Sequence, residues 1–239
     1  MAEPVPLEAH EGSPEPRIRI TRHFPKPFAT VLTTARTCYS PKGLVEDADL
    51  KPGGEGLARD LYEAGHHTTI QHAYFQFAME NVSRQFLWSF LHAHPFYNSE
   101  QVSQRYVKVR ASSCFVPPLR GEARVVYLGG LDEQLGFYRE LIGSLTPLAQ
   151  AAYDARFPAR RSKRAAYAKE VERKAQEIAR YVLPVATFAY LYHTVSALTV
   201  LRYWRWSWTI SSLIRSFWRL SSLISVSSGW GRPSSSRIR

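Results

Sequence analysis

Between His92 and Arg105 the chain gathers two imidazoles, a carboxylate, a hydroxyl and a guanidinium in one short run, His92-Ala-His94-Pro-Phe-Tyr-Asn-Ser-Glu100-Gln101-Val-Ser103-Gln104-Arg105. Glu100 offers an acceptor, Arg105 an anion partner, and Ser103 a hydroxyl between them. Arginine beside serine at a strand end suits a phosphate or a planar polar ring. A second polar stretch, Gly65-His66-His67-Thr68-Thr69-Ile70-Gln71-His72, holds three imidazoles and two hydroxyls. His66 and His72 are either metal ligands lacking a nearby carboxylate or thiolate, or the polar end of a helix and its turn. No nucleophile–base pair stands out. Cys38, between Thr37 and Tyr39, has nothing beside it to lower its pKa and reads as a buried structural thiol. The glycine-rich signatures of dinucleotide and phosphate loops are absent, so a nucleotide would be held by side chains.

These residues need elements to position them. Phe86, Leu87, Phe90, Leu91 and His94 share one face at helical spacing, with Ser83 as cap and Pro95 as stop. Ser103 to Val109 alternates in type and predicts an extended segment. Upstream, Arg17–Ile20 and Ala73–Glu80 read as strands, Phe28–Tyr39 as a helix, and residues 41–54 as a loop. Leu57, Leu61 and Tyr62 mark a second helix ended by Gly65. Downstream, the spacing predicts a short strand or turn at Val125–Leu128, then helices over about 133–153, 162–182 and from Pro184 to about Trp204. Helices predominate, with a few strands near the middle: a mixed α/β (α+β) chain.

The formal net charge of +11 points to anionic partners, but residues 206–239 carry five Arg and no acid, leaving the rest at only +6. The one basic cluster, Arg156 to Arg164, reads as a solvated helix start, so no nucleic-acid partner is expected. Two cysteines without metal spacing form no disulfide framework, and no metal is expected. The uncharged run Tyr181–Leu201 is long enough for a membrane span, but Pro184, His193 and Ser196 make a buried helix the better reading. Residues 1–16, rich in Pro and Glu, read as a disordered leader without a secretory signal, and a cytoplasmic location is expected. Residues 206–239 hold twelve Ser and four of the six Trp. This tail reads either as an out-of-frame end or as a basic membrane-surface helix.

Taken together, four blocks resemble the flavin-dependent thymidylate synthases. They are Ala35-Arg36-Thr37-Cys38-Tyr39-Ser40, the Gly65–His72 stretch, His92 to Tyr106, and Ala179-Arg180-Tyr-Val-Leu183-Pro184. The third resembles the family's Arg-His-Arg, Asn-Glu and Ser-x-Arg-Tyr signature. It departs from it in having His92-Ala93-His94 where the family has two arginines, and one extra residue before Ser103. Another family arginine is absent from Ser196-Ala197-Leu198-Thr199, and the family's closing block is missing where the tail begins.

The resemblance implies a mixed α/β fold, with long helices packed on a central sheet, over residues 17–205. It implies a homotetramer whose sites lie at subunit interfaces. It also implies an enzyme of the methyltransferase class, making dTMP from dUMP by reductive methylation, with methylenetetrahydrofolate as carbon donor, FAD as hydride carrier and NADPH as reductant. By position, Gln101, Ser103, Gln104 and Arg105 would line the nucleotide, with Arg180 reaching in from a neighbouring chain. Ser103 and Arg105 would be central to catalysis, and His66, Thr68, His92, His94 and Glu100 would face the flavin. Two other functions remain: a non-catalytic homologue that binds flavin or nucleotide, and a membrane-associated protein using Tyr181–Val226.

Overall fold

The computed structural model describes residues 13–94, 96–110 and 113–207, so most of the expected leader and nearly all of the expected tail lie outside the described residues. By proximity these residues form two compact units, each built from separate stretches of chain. The first takes 13–15, 81–89 and 101–190; the second takes 16–80, 90–100 and 191–207.

Most of a four-stranded sheet falls in the second unit; its strands are β1 (Arg17–His23), β2 (Tyr74–Ser83), β3 (Asn98–Gln101) and β4 (Phe188–Ser196), in the order β1-β2-β4-β3, with residues 81–83, 101 and 188–190 counted in the first. β1 runs antiparallel to β2, with Arg17 opposite Glu80 and an irregularity between Ile20 and Arg22. Alternation explains which residues face the core. Phe75, Phe77 and Met79 of β2 and Leu191, His193 and Val195 of β4 are buried. Three helices belong to the same unit: α1 (Pro27–Thr37), α2 (Glu55–Glu63) and α6 (Ala197–Ser207). Val31, Leu32 and Ala35 of α1 and Leu198, Val200 and Tyr203 of α6 complete the core.

Gly54, at the start of α2, has φ 119°, and a Cβ there would stand 2.6 Å from a methyl of Leu32. Both strain and crowding oppose a side chain. Gly54→Ala is expected to lower stability by about 1–3 kcal/mol in chemical denaturation.

Helix α3 (Arg84–Ala93) follows β2 directly. Ser83 Oγ accepts from the Phe86 amide at 3.1 Å, which is the cap its position predicts. Leu87 and Phe90 are buried, while Trp88 is 67% exposed.

The first unit is helical. Helix α4 (Gly121–Arg156) is 36 residues long, and α5 (Arg164–Ala179) packs against it. Leu128, Leu131 and Leu135 of α4 join Cys114 and Val116 in a cluster, and Tyr138 is 1% exposed. Pro147 lies inside α4, where it removes one amide donor without ending the helix. The basic run after α4 is a short 3-10 segment (Pro158–Lys163). Arg160 lies over Phe157 and Tyr167 at 4.6 and 4.8 Å, and Arg164 pairs with Asp154.

Four local expectations are corrected. The segment after Gln101 is not extended, because Tyr106 and Val107 turn back to donate to the Ser103 carbonyl. The strand lies earlier, at Asn98–Gln101. Val125–Leu128 is the first part of α4, not a strand or turn. The apolar run after Pro184 is mostly strand β4, with helix only from Ala197, so the buried helix expected over Tyr181–Leu201 is not there. Finally, Cys38 is exposed, since α1 ends at Thr37 and turns it outward; Cys114 is the buried thiol. Among the described residues, no helix is long and apolar enough to cross a membrane.

Candidate functional site

In the first unit the polar residues gather around two arginines. Arg84, at the start of α3, donates from Nη1 to Gln101 Oε1 at 2.7 Å and from Nη2 to the Val102 carbonyl. Its Nε is buried and has no partner. Burial depresses the pKa of this guanidinium, and the positive charge of Arg180 depresses it further. Arg180 is half-buried, donates from Nε to the Glu177 carbonyl at 3.1 Å, and lies over the Tyr181 ring at 5.3 Å. Among the described residues neither arginine pairs with a carboxylate. Two neighbouring cations, one of them a buried guanidinium with a bare N–H, are arranged for an anion with several acceptor oxygens, such as a phosphate.

Residues named from the sequence stand beside this pair. Gln101 is fixed by Arg84. Ser103 is half-buried, and its Oγ accepts from the Arg105 amide at 3.2 Å. Gln104 is half-buried in the same turn. Arg105 is exposed, pairs with Glu177 at 3.5 Å and lies over Tyr106 at 5.3 Å. The Lys174 ammonium, and after it Arg105, holds the Glu177 carboxyl below its usual range. Lys108 pairs with Glu172, tying the same segment to α5.

In the second unit a different set converges. His193, 0% exposed, bonds Ser99 Oγ through Nδ1 at 2.5 Å and the Tyr203 hydroxyl through Nε2 at 3.1 Å. Phe90 and Tyr97 lie 5.0 and 5.3 Å from its ring. Burial pushes its pKa down to about 4 and drives the Tyr203 phenol well upward. His94 rests on Tyr203 at 5.3 Å, and its Nε2 is buried without a partner. Glu100 is exposed on β3, and His92 is exposed in the last turn of α3. His66 and Thr68 are exposed between α2 and the turn at Thr69–His72, their carbonyls accepting from Thr69 and Gln71. His67 is instead tied to the Tyr62 carbonyl and ring.

The two sets divide by unit. The residues expected at the nucleotide are in the first, and those expected at the flavin are in the second. Among the described residues the first unit holds one buried nitrogen without a partner, Arg84 Nε, and the second holds two, Arg36 Nε and His94 Nε2, each of which a ligand would satisfy. In that respect the residues present fit a phosphate-bearing nucleotide and a polar cofactor such as FAD. Arg84 and His193 were not among the candidate site residues read from the sequence, where His193 entered only as a polar residue in the run Tyr181–Leu201. Among the described residues no cluster of His, Cys, Asp and Glu could hold a metal ion. Burial raises the Cys114 pKa, which makes that thiol a poor nucleophile.

Comparison with known proteins adds to this geometry. A family model described as "Thymidylate synthase complementing protein" matches residues 19–209. A flavin-dependent thymidylate synthase from Clostridium tetani is 30% identical over 194 residues, covering 79% of this chain and 73% of that protein. One from Nitratidesulfovibrio vulgaris is 32% identical over 112 residues, covering 44% and 45%. Among solved structures, a UMP/dUMP methylase from Streptomyces cacaoi bound with 5-Br dUMP has a TM-score of 0.55 at 20% identity, over 78% of this chain and 75% of that one. Thymidylate synthase X from Helicobacter pylori with FAD and dUMP has a TM-score of 0.52 at 14% identity, over 77% and 80%. Those two likenesses show the same mixed helix-and-sheet fold.

Proposed function

The chain belongs to the flavin-dependent thymidylate synthase family, and from that premise we propose that it converts dUMP to dTMP by reductive methylation. The observation that carries this reading to the chain's own atoms is the Arg84–Arg180 pair, a half-buried double cation beside Gln101 and Ser103 with a spare N–H. On this reading the pair takes the nucleotide phosphate, while Gln101, Ser103, Gln104 and Arg105 line the rest of the nucleotide. Arg105 exchanges Glu177 for the substrate. Ser103, fixed by its bond to the Arg105 amide, presents its hydroxyl alongside.

His66, Thr68, His92, His94 and Glu100 would hold FAD, which when bound supplies the hydride; methylenetetrahydrofolate would supply the carbon and NADPH the reducing equivalents. Residues 17–205 would make up the catalytic domain, and the assembly would be a homotetramer in the cytoplasm. The family match runs to residue 209, so the Ser-, Trp- and Arg-rich residues beyond it lie outside it.

The visible absorption spectrum of the purified protein tests the proposal. Added FAD should give a bound oxidised flavin whose bands shift on adding dUMP. A protein that ignores FAD overturns the reading. A second reading, a non-catalytic flavin and nucleotide binder, is favoured by His92-Ala93-His94 standing where the family has two arginines. Under that reading the flavin bands shift with dUMP but no dTMP forms.

A further inference from the structure

In the second unit the inward residues of β4 are Leu191, His193 and Val195, and the middle one is polar. An imidazole costs more to bury than an aliphatic side chain unless both ring nitrogens are bonded. Both are: Nδ1 lies 2.5 Å from Ser99 Oγ, and Nε2 lies 3.1 Å from the Tyr203 hydroxyl. A hydroxyl can give or take a proton, so either neutral tautomer keeps both bonds.

What the imidazole reaches is β3. That strand is four residues long, lies at the edge of the sheet beside β4, and is made of Asn, Ser, Glu and Gln, with no apolar side chain to bury. Ser99 turns inward to His193, and Glu100, one residue on, is exposed, as the alternation of a strand requires. A slip of one residue would turn Glu100 inward and Ser99 outward. The chain entering β3 is held from the same side. Thr199 Oγ1 donates to the Phe96 carbonyl at 3.3 Å, and the Thr199 amide donates to Ser196 Oγ at the start of α6. Tyr97 stands 5.3 Å from the His193 ring.

We propose that His193 is the positioning residue for Glu100: its bond to Ser99 fixes the face of β3, and with it the direction in which the Glu100 carboxylate meets the bound cofactor. This rests on the flavin assignment above and deepens it, by naming what aims one of the flavin-facing side chains. At 0% exposure the imidazole acts through Ser99 and not by contact with a ligand. The half-buried serine is therefore the place to cut the link without opening the core.

In the full chain, FAD affinity measured by flavin fluorescence should fall about fivefold in Ser99→Ala, while Ser99→Thr, which keeps the hydroxyl, should stay within about twofold. Glu100→Gln should weaken FAD by about tenfold, and Ser99→Ala added to it should cost nothing further, because the serine works only through the carboxylate. A purely structural bond would instead give losses that add in full. His193→Leu should match the Ser99→Ala loss; if it does not fold, the serine variants decide. Without ligand, amide hydrogen exchange over residues 98–100 should quicken about tenfold in Ser99→Ala and not in Ser99→Thr.

Unchanged affinity in Ser99→Ala, unchanged exchange, or a loss additive with that of Glu100→Gln overturns the proposal. A chain that takes up no FAD overturns the flavin assignment instead, and hydrogen exchange then decides by itself whether the Ser99–His193 bond sets the strand.

Discussion

Replacing Arg84 by alanine is expected to weaken dUMP binding by about 2–3 kcal/mol, roughly 30- to 150-fold, the usual worth of hydrogen bonds to a charged group. The loss has two sources. One is the direct contact through the unused Nε. The other is the position of Gln101 and Val102, which Arg84 holds by its two remaining nitrogens. Arg84→Lys keeps the charge but not the planar fork, and should recover only part of the affinity. Without nucleotide, Arg84→Ala should change the melting temperature little, because removing a half-buried cation beside Arg180 relieves a repulsion. Isothermal titration with dUMP gives the number. Unchanged affinity would mean the arginine pair does not hold the phosphate.

The second expected result is loss of stability in mild acid, traced to His193. In the unfolded chain this imidazole titrates near 6.5; in the folded chain burial lowers it to about 4. Between those values the unfolded state binds the extra proton, so stability falls as pH falls through this window and is fully retained above it. The interval corresponds to about 3 kcal/mol. His94, also depressed, adds to the loss in the same direction. Urea denaturation at pH 7.5 and pH 4.5 measures the difference. His193→Gln, which does not titrate, should flatten most of it, at the expense of some stability at neutral pH. An equal acid loss in the variant would place the effect elsewhere.

Both predictions concern residues that sequence pattern passes over, for physical reasons. Arg84 occupies the first turn of a helix, where the macrodipole disfavours a cation. That misplacement was the available signal that it serves a ligand more than the helix. His193 lies in Phe188–Ser196, a short apolar run that periodicity cannot assign to helix or strand. Its outward positions, Tyr190 and Tyr192, are themselves aromatic, which hides the alternation with Ala189, Leu191, His193 and Val195.

Strand β3 was hidden differently. Asn98–Gln101 has no strand propensity of its own, and it is extended because it is a neighbour of β4 in the sheet. The expected helix start near residue 133 misses the first part of α4 because β-branched Val125-Val126 suit a strand, while Gly129-Gly130 lower helical propensity without breaking the helix. The fold class and helix α3 were legible because apolar spacing and the Ser83 cap are local signals. The turn from Ser103 to Tyr106 was placed but misread in conformation, since its alternating residue types do not reveal the bonds back to the Ser103 carbonyl.

The way each unit is threaded has a consequence for synthesis on the ribosome. The second unit takes strands from near residue 20 and near residue 75, then waits for β4 and α6, whose Tyr203 and Leu198 complete its core. The Ala197 amide closes onto the Ala73 carbonyl across more than a hundred residues of intervening chain. Until that closure the nascent polypeptide lacks the part of the core that β4 and α6 supply, and apolar surface that they cover stays exposed. Such late, long-range closure makes folding slow and leaves the growing chain dependent on holding factors that shield apolar surface. A message that stops short of the codon for Tyr203 would therefore yield an aggregation-prone fragment in place of a smaller enzyme.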